Sequence, residues 1–332
     1  MRLLKRLLLV LMVLAIVYLV GPHPSTPVYT LSLPAVPADP VALTNYVQLQ
    51  EAQHKLKPNN EARIVWANDS THAKTEYAIV YLHGFSASQE EGNPVHRNIA
   101  KEFGCNLYLS RLDQHGIDTT DALYHMTAEN LWETAKQAYA IGKQLGRKVI
   151  LMGTSTGGTL ALQLAAAYPE IAALILYSPN IAINDPNAWL LNNPWGLQIA
   201  RLVKGSNYNT AGNNTPIYSQ YWNHQYRLEA TVQLEELLET TMNRSHFEQI
   251  KQPTLTLCYY KDEQHQDPVV KVSAMRTMMD ELGTPANKKR LVPIPDAGTH
   301  VLASPIQSKD IVSVEKQTAA FLTEVLGMKK VL

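Results

Sequence analysis

A charge excess of either sign is missing from this chain. Its 332 residues hold 29 Lys and Arg against 29 Asp and Glu, a formal net charge of zero. Without a basic excess or basic clusters in its body, it lacks the phosphate-neutralising footprint that nucleic-acid binding needs, and no nucleic-acid partner is expected. Cysteine is scarce. The only two, Cys105 and Cys258, sit in apolar runs that read as interior strands, where cysteine packs as a small hydrophobe. Two cysteines make no disulfide framework and leave the redox compartment open. No His, Cys and Asp cluster has metal-ligand spacing, and no glycine-rich dinucleotide loop follows a strand. Neither a metal nor an organic cofactor is therefore expected.

A long uncharged apolar run is also lacking. Near the N-terminus Arg2, Lys5 and Arg6 precede an uncharged stretch only from Leu7 to Val20, about 21 Å of helix against a hydrocarbon core of about 30 Å. Counting from Leu3, with Lys5 and Arg6 snorkelling, gives about 27 Å. The layout is that of a signal segment, and no A-x-A site follows Val20. Residues 1–21 are accordingly expected to be an uncleaved signal anchor, with the protein partnered to the membrane and its body outside the cytoplasm, periplasmic or extracellular. Cleavage and secretion is the alternative.

Six prolines between Pro22 and Pro40 suit a stiff tether, so 22–61 reads as a tether plus a lead-in helix over 41–56, with a short strand at 29–33. From Ala62 onward, short apolar runs suited to buried strands appear at 62–67, 77–82, 106–109, 148–152, 171–177, 253–259 and 290–294. Helical patterns at 127–145 and 310–326 place their apolar residues on one face. Strands alternating with such helices predict an α/β fold, a mostly parallel central sheet with helices on both faces. The stretch 180–252, rich in Asn, Tyr and Trp with one clear helix at 228–242, breaks the alternation and reads as an insertion over the end of the sheet. It divides the core into 62–179 and 253–332.

Gly153-Thr154-Ser155-Thr156-Gly157 matches G-x-S-x-G, a pattern that chance supplies in about one chain of this length in ten. Its setting is more specific. An apolar strand enters it and a small-residue helix leaves it, so Ser155 stands on a sharp turn with its hydroxyl projecting and glycines two residues away on either side. A reactive serine needs a base and an acid to orient that base. His300, in Asp296-Ala297-Gly298-Thr299-His300, follows a strand and precedes the last helix, on a loop at the same end of the sheet. For the acid, Asp262, Glu263 and Asp267 all follow one strand, and Asp262 fits by its distance from the strand end. An oxyanion needs two N–H donors. Thr156, after the nucleophile, supplies one, and Phe85 in His83-Gly84-Phe85-Ser86 supplies the other. His83 and His115 read as structural histidines.

These elements, in this order from about Ala62 to Leu326, resemble the α/β-hydrolase superfamily, and within it the monoacylglycerol lipase-like and serine aminopeptidase-like branch. The resemblance implies the order Ser, Asp, His, and favours Asp267, because Asp-Pro-Val-Val leading into a helix is how the acid loop of these enzymes reads. It also implies a small-molecule or lipid-like ester substrate, with amide cleavage as the alternative and a non-catalytic binding protein as a third reading. Where the branch carries an Arg-Gly-His-Gly type motif, this chain has Arg111-Leu112-Asp113-Gln114-His115-Gly116, which loosens the link to any one substrate. In the insertion, which the resemblance implies is a cap, Trp189, Trp195, Tyr218, Tyr221 and Trp222 either line a pocket or form a small core of their own, and Glu235, Glu236 and Glu239 read as a solvated helix face.

Overall fold

Every apolar run from Ala62 onward contains a strand. They are β1 (Arg63–Val65), β2 (Thr75–Leu82), β3 (Asn106–Leu109), β4 (Gly146–Thr154) and β5 (Ala173–Tyr177), followed after a two-stranded ribbon of β6 (Tyr208–Thr210) and β7 (Gln225–Arg227) by β8 (Thr254–Cys258) and β9 (Lys289–Pro293). The computed structural model describes residues 2–210 and 213–331. Met1, Ala211, Gly212 and Leu332, which the segments 1–21, 180–252 and 253–332 include, lie outside the described residues. Seven strands form one sheet in the order β1-β3-β2-β4-β5-β8-β9. All neighbours pair parallel except β1, which runs antiparallel to β3 at the edge. The predicted α/β architecture is the observed one.

The central strands read as unbroken apolar runs because both of their faces are covered. Ala78, Val80, Leu82, Leu151, Leu174 and Leu176 point to one side, into a core shared with the helices Ala128–Leu145 and Thr156–Ala167. Ile79, Tyr81, Ile150, Met152, Ile175 and Tyr177 point to the other, against the helices Val95–Glu102 and Ile311–Glu324. Burying the tyrosine hydroxyls costs little because each has a partner, Tyr81 with Thr154 Oγ1 at 2.9 Å and Tyr177 with Thr318 Oγ1 at 2.9 Å. Both cysteines are buried and unpaired, and burial pushes each thiol up to about 12.

The N-terminal sixth departs from expectation. The helix Arg2–Leu19 has 18 residues, about 27 Å, and contains Arg2, Lys5 and Arg6. No helix among the described residues is long and apolar enough to cross a membrane. The spanning anchor, and with it the membrane as a partner through this segment, is therefore corrected: three cations within so short a helix leave too little uncharged length. Residues 29–33 form no strand. They lie extended along the helix Ala128–Leu145, and side chains do what a partner strand would: Trp132 Nε1 donates to Thr30 O at 2.8 Å, Tyr168 Oη to Leu31 O at 2.8 Å and Lys136 Nζ to Ser32 O at 3.0 Å. The proline-rich stretch is thus docked on the core rather than leading away from it. The lead-in helix spans Pro40–Glu51, capped by Asp39 with Pro at its first turn, and stops short of residue 56.

Between β5 and β8 the chain forms the helices Gly196–Lys204, Pro216–Tyr221, Leu228–Thr241 and Arg244–Phe247 besides the ribbon. Leu237, Phe247 and Ile250 from the end of this segment join the main core. Glu235 and Glu236 are buried, because the helix Leu228–Thr241 packs on two core helices, and only Glu239 is exposed; the solvated face predicted for the three is corrected.

The tightest constraint lies where β4 passes into the helix Thr156–Ala167. A Cβ on Gly157 would stand 1.9 Å from the carbonyl oxygen of Leu82 in β2. Gly157→Ala is expected to lower the unfolding free energy by about 3 kcal/mol or more. Gly205→Ala, at φ +60° but with nothing within 4 Å, is expected to cost only about 1–2 kcal/mol of backbone preference. Urea unfolding of the two variants checks this, and equal losses would contradict the contact.

Candidate active site

β4 delivers Ser155 to the end of the sheet at φ 52° and ψ −118°, in the left-handed region that a side-chain-bearing residue adopts only under local constraint. The glycines around it make that turn possible. A Cβ on Gly153 would meet the Gly157 carbonyl at 2.5 Å, and one on Gly158 would meet Pro179 Cβ at 2.7 Å. The turn is pinned from behind, since the Ser155 N–H donates to Tyr177 O of β5 and the Ser155 carbonyl accepts from Asn180 N, both at 3.0 Å. Ser155 borders a cavity of about 700 Å³, which it shares with His300, Phe85 and Glu91.

Asp267 and His300 come from the loops after β8 and β9, neighbouring strands whose ends bring the two residues together. His300 Nδ1–H donates to Asp267 Oδ2 at 2.7 Å, and Asp267 Oδ1 accepts from the Val269 and Val270 N–H groups at 2.9 and 3.1 Å. The Asp-Pro-Val-Val turn therefore folds back on its own carboxylate. Burial works to raise the Asp267 pKa, but the charge and hydrogen bond of His300, with the two N–H groups, hold it below the usual carboxylate range. Burial likewise disfavours the His300 imidazolium, yet the charge and hydrogen bond of Asp267 and the charge of Glu91 together leave its pKa raised. Asp262 stands apart: it is exposed and binds His265 Nδ1 at 2.8 Å.

The loop after β2 is held at several points. His83 Nε2 accepts from Leu112 N at 3.0 Å, so its Nδ1 carries the proton and donates to Gly84 O at 2.9 Å. His115 Nε2 accepts from Ser86 N at 3.0 Å and its Nδ1 donates to Asp113 O at 2.7 Å. Burial holds both rings neutral, His115 down at about 4 and His83 well below the ordinary histidine range. Among the described residues, neither the Phe85 nor the Thr156 N–H has a protein acceptor.

Of the aromatics between β5 and β8, Tyr218 and Trp222 line the cavity, stacked at 5.1 Å and packed with Ala87 and Val301. Trp189 is exposed, and the Trp195 ring N–H donates to Val17 O at 2.9 Å outside the cavity. Phe85 and Tyr226, edge to face at 5.0 Å, line it as well. Sequence reasoning missed Glu91, which is 2% exposed. Nothing in Gln89-Glu90-Glu91 separates it from its half-buried neighbour Glu90.

Residues 74–297 match the family described as Serine aminopeptidase, S33. That span includes Phe85, Glu91, Ser155, Thr156 and Asp267, and ends three positions before His300. A thermostable monoacylglycerol lipase from Bacillus sp. (strain H-257) is 29% identical over 108 residues, 32% of this chain and 42% of that lipase. The chain thus matches less than half the length of this curated relative. Among solved structures, one from the metagenome-derived lipolytic enzymes LipS and LipT aligns with 81% of this chain and 100% of its own at a TM-score of 0.65 and 16% identity. The monoacylglycerol lipase of Paleococcus ferrophilus aligns with 79% of this chain and 97% of its own at a TM-score of 0.58 and 16% identity. At such identities the structures speak to the fold. With the family match extending over two-thirds of the chain, and a seven-stranded sheet carrying the serine turn at the end of β4, the chain belongs to the Serine aminopeptidase, S33 family and has the α/β-hydrolase fold.

Proposed function

We propose that this hydrolase cleaves carboxylic esters through an acyl-enzyme on Ser155, with His300 as general base, Asp267 as its orienting acid, and the Phe85 and Thr156 N–H groups as the oxyanion hole. The observation that carries the reading is the 2.7 Å bond from His300 Nδ1 to the buried Asp267. It leaves Nε2 as the free ring nitrogen, and His300 borders the same cavity as Ser155. Ser155 Oγ attacks the ester carbonyl carbon as His300 Nε2 takes the hydroxyl proton. The oxyanion that forms is held by two donors, each worth about 3 kcal/mol or more in such sites. Collapse breaks the bond to the alcohol, which leaves with the proton from His300. Water then attacks the acyl-enzyme, His300 takes its proton, and that proton returns to Ser155 Oγ as the acid departs.

Leu190, Leu191, Ile199, Val203, Leu234 and Val269 line the cavity and suit an apolar acyl or alcohol group. They support the cap reading of 180–252 and an ester of lipid-like character, in keeping with the lipase relatives. Glu235, Glu236 and Glu239 are not among the cavity-lining residues, which speaks against their forming an amine pocket for aminopeptidase chemistry. The basic-then-apolar layout of residues 2–20 supports export; cell fractionation is expected to find the protein outside the cytoplasm, and protein confined to the cytoplasm would contradict it.

On p-nitrophenyl esters, Ser155→Ala is expected to remove activity by several orders of magnitude and Asp267→Asn by about three to four. Asp262→Asn should stay within about twofold of wild type. Loss of activity in Asp262→Asn with retention in Asp267→Asn would reverse the acid assignment. Faster turnover of aminoacyl anilides than of any ester would replace the ester reading with the amide one. Because the base must be neutral and its pKa is raised, kcat/KM should fall as pH drops through a midpoint above the ordinary histidine value of about 6.5. A pH–rate profile with its acid limb well below that value would contradict the coupling of His300 to its carboxylate.

A further inference from the structure

The oxyanion loop contains a residue with no side chain to anchor it. Gly84 packs directly behind the nucleophile, where a Cβ would stand 3.0 Å from Ser155 Cβ and 2.8 Å from Glu91 Oε2. Its conformation is fixed through its two peptide groups instead. On the far side, Gly84 O accepts from His83 Nδ1 at 2.9 Å and from Ala87 N at 3.3 Å. Gly84 O and the Phe85 N–H belong to one planar trans peptide and point in opposite directions within it, so holding that oxygen aims the N–H. On the near side, the Gly84 N–H donates to Glu91 Oε2 at 2.5 Å. Ser86, next along, is held by His115 and by Asn223, whose N–H donates to Ser86 O at 2.8 Å.

Glu91 is a carboxyl group sealed inside the molecule at the wall of the reaction cavity. Burying such a group is costly unless its charge is used. The groups that face it come from different parts of the fold: Tyr81 from β2, Tyr218 and Trp222 from the segment between β5 and β8, and His300 from the loop after β9. His300 alone of these becomes cationic, as it must during acyl transfer.

We propose that Glu91 is a positioning residue of the acyl-transfer site, its carboxylate fixing Gly84 and hence the Phe85 N–H at the wall of the cavity it shares with His300. This rests on the ester-hydrolysis reading above. Burial pushes the Glu91 carboxyl up to about 7, against the pull of the Gly84 N–H, the His300 charge and the Trp222 side chain. The residue is therefore an anion on the alkaline side and is neutralised as pH falls through that value.

The experiment compares Glu91→Ala and Glu91→Gln with the wild-type full chain in kcat, KM, pH–rate profile and thermal midpoint, using one p-nitrophenyl ester. Glu91→Ala is expected to lower kcat about tenfold or more with KM within about threefold, as loss of an aimed oxyanion donor does. Glu91→Gln keeps an oxygen for the Gly84 N–H and should restore most of the plateau kcat. Its acid limb should nevertheless move to lower pH by about half a unit or more, because His300 loses an anionic neighbour. Wild-type kcat and an unmoved acid limb in both variants would overturn the proposal and leave Glu91 a packing residue. If Glu91→Ala proves unfolded, the acid limb of Glu91→Gln decides alone, a downward shift in support and an unmoved limb against. If wild type shows no Ser155-dependent ester turnover, the ester reading fails, and this inference falls with it.

Discussion

The site depends on how closely the backbone at the start of one helix can approach the end of a neighbouring strand. Gly157 sits against Leu82 O so tightly that no side chain fits between them, and that contact places the Ser155 turn beside the loop that leaves β2. The same approach lets Gly84 lie against Ser155. Around Gly84 the loop is held by side chains, with His83 Nδ1 on its carbonyl and Glu91 Oε2 on its N–H. In the proposed reaction the Phe85 and Thr156 N–H groups are set before any substrate arrives, which is the condition for electrostatic stabilisation to lower a barrier.

Around this frame, titratable groups are sorted by burial and partner. His83 and His115 are buried without a carboxylate partner and stay neutral, so each accepts one loop N–H and donates to one carbonyl. His300 is equally buried but faces Asp267 and Glu91, and its pKa moves the other way. Three histidines within one small region thus do two jobs, two as neutral struts and one as a group poised to gain a proton. The difference lies in the carboxylates that the loops after β2 and β8 deliver, not in the imidazoles themselves.

Much of this was legible in the sequence for identifiable reasons. Buried parallel strands need apolar residues on both faces, so their runs stand out, and the Ser155 turn needs glycine where backbones touch, so its motif stands out too. The choice of Asp267 over Asp262 comes from the family resemblance of Asp-Pro-Val-Val; the structure adds that two N–H groups after the aspartate bind its own side chain. What could not be read depended on distant partners. Residues 29–33 are ordered by Trp132, Lys136 and Tyr168, more than a hundred positions away, and a proline-rich stretch alone suggests a tether. Glu235 and Glu236 are buried by packing on core helices, and Glu91 by a glycine seven residues before it. An apolar N-terminal run suggested an anchor, whereas its length and three cations fall short of a span.

The central claim is that Ser155 is a nucleophile activated by the His300–Asp267 pair. Its most direct measurement is exposure of the folded protein to a fluorophosphonate, with the adduct located by peptide mass spectrometry and the labelling rate followed against pH. A single adduct on Ser155 is expected, forming faster as His300 is deprotonated. A folded protein that stays unlabelled, or that carries the adduct on another residue, would contradict it.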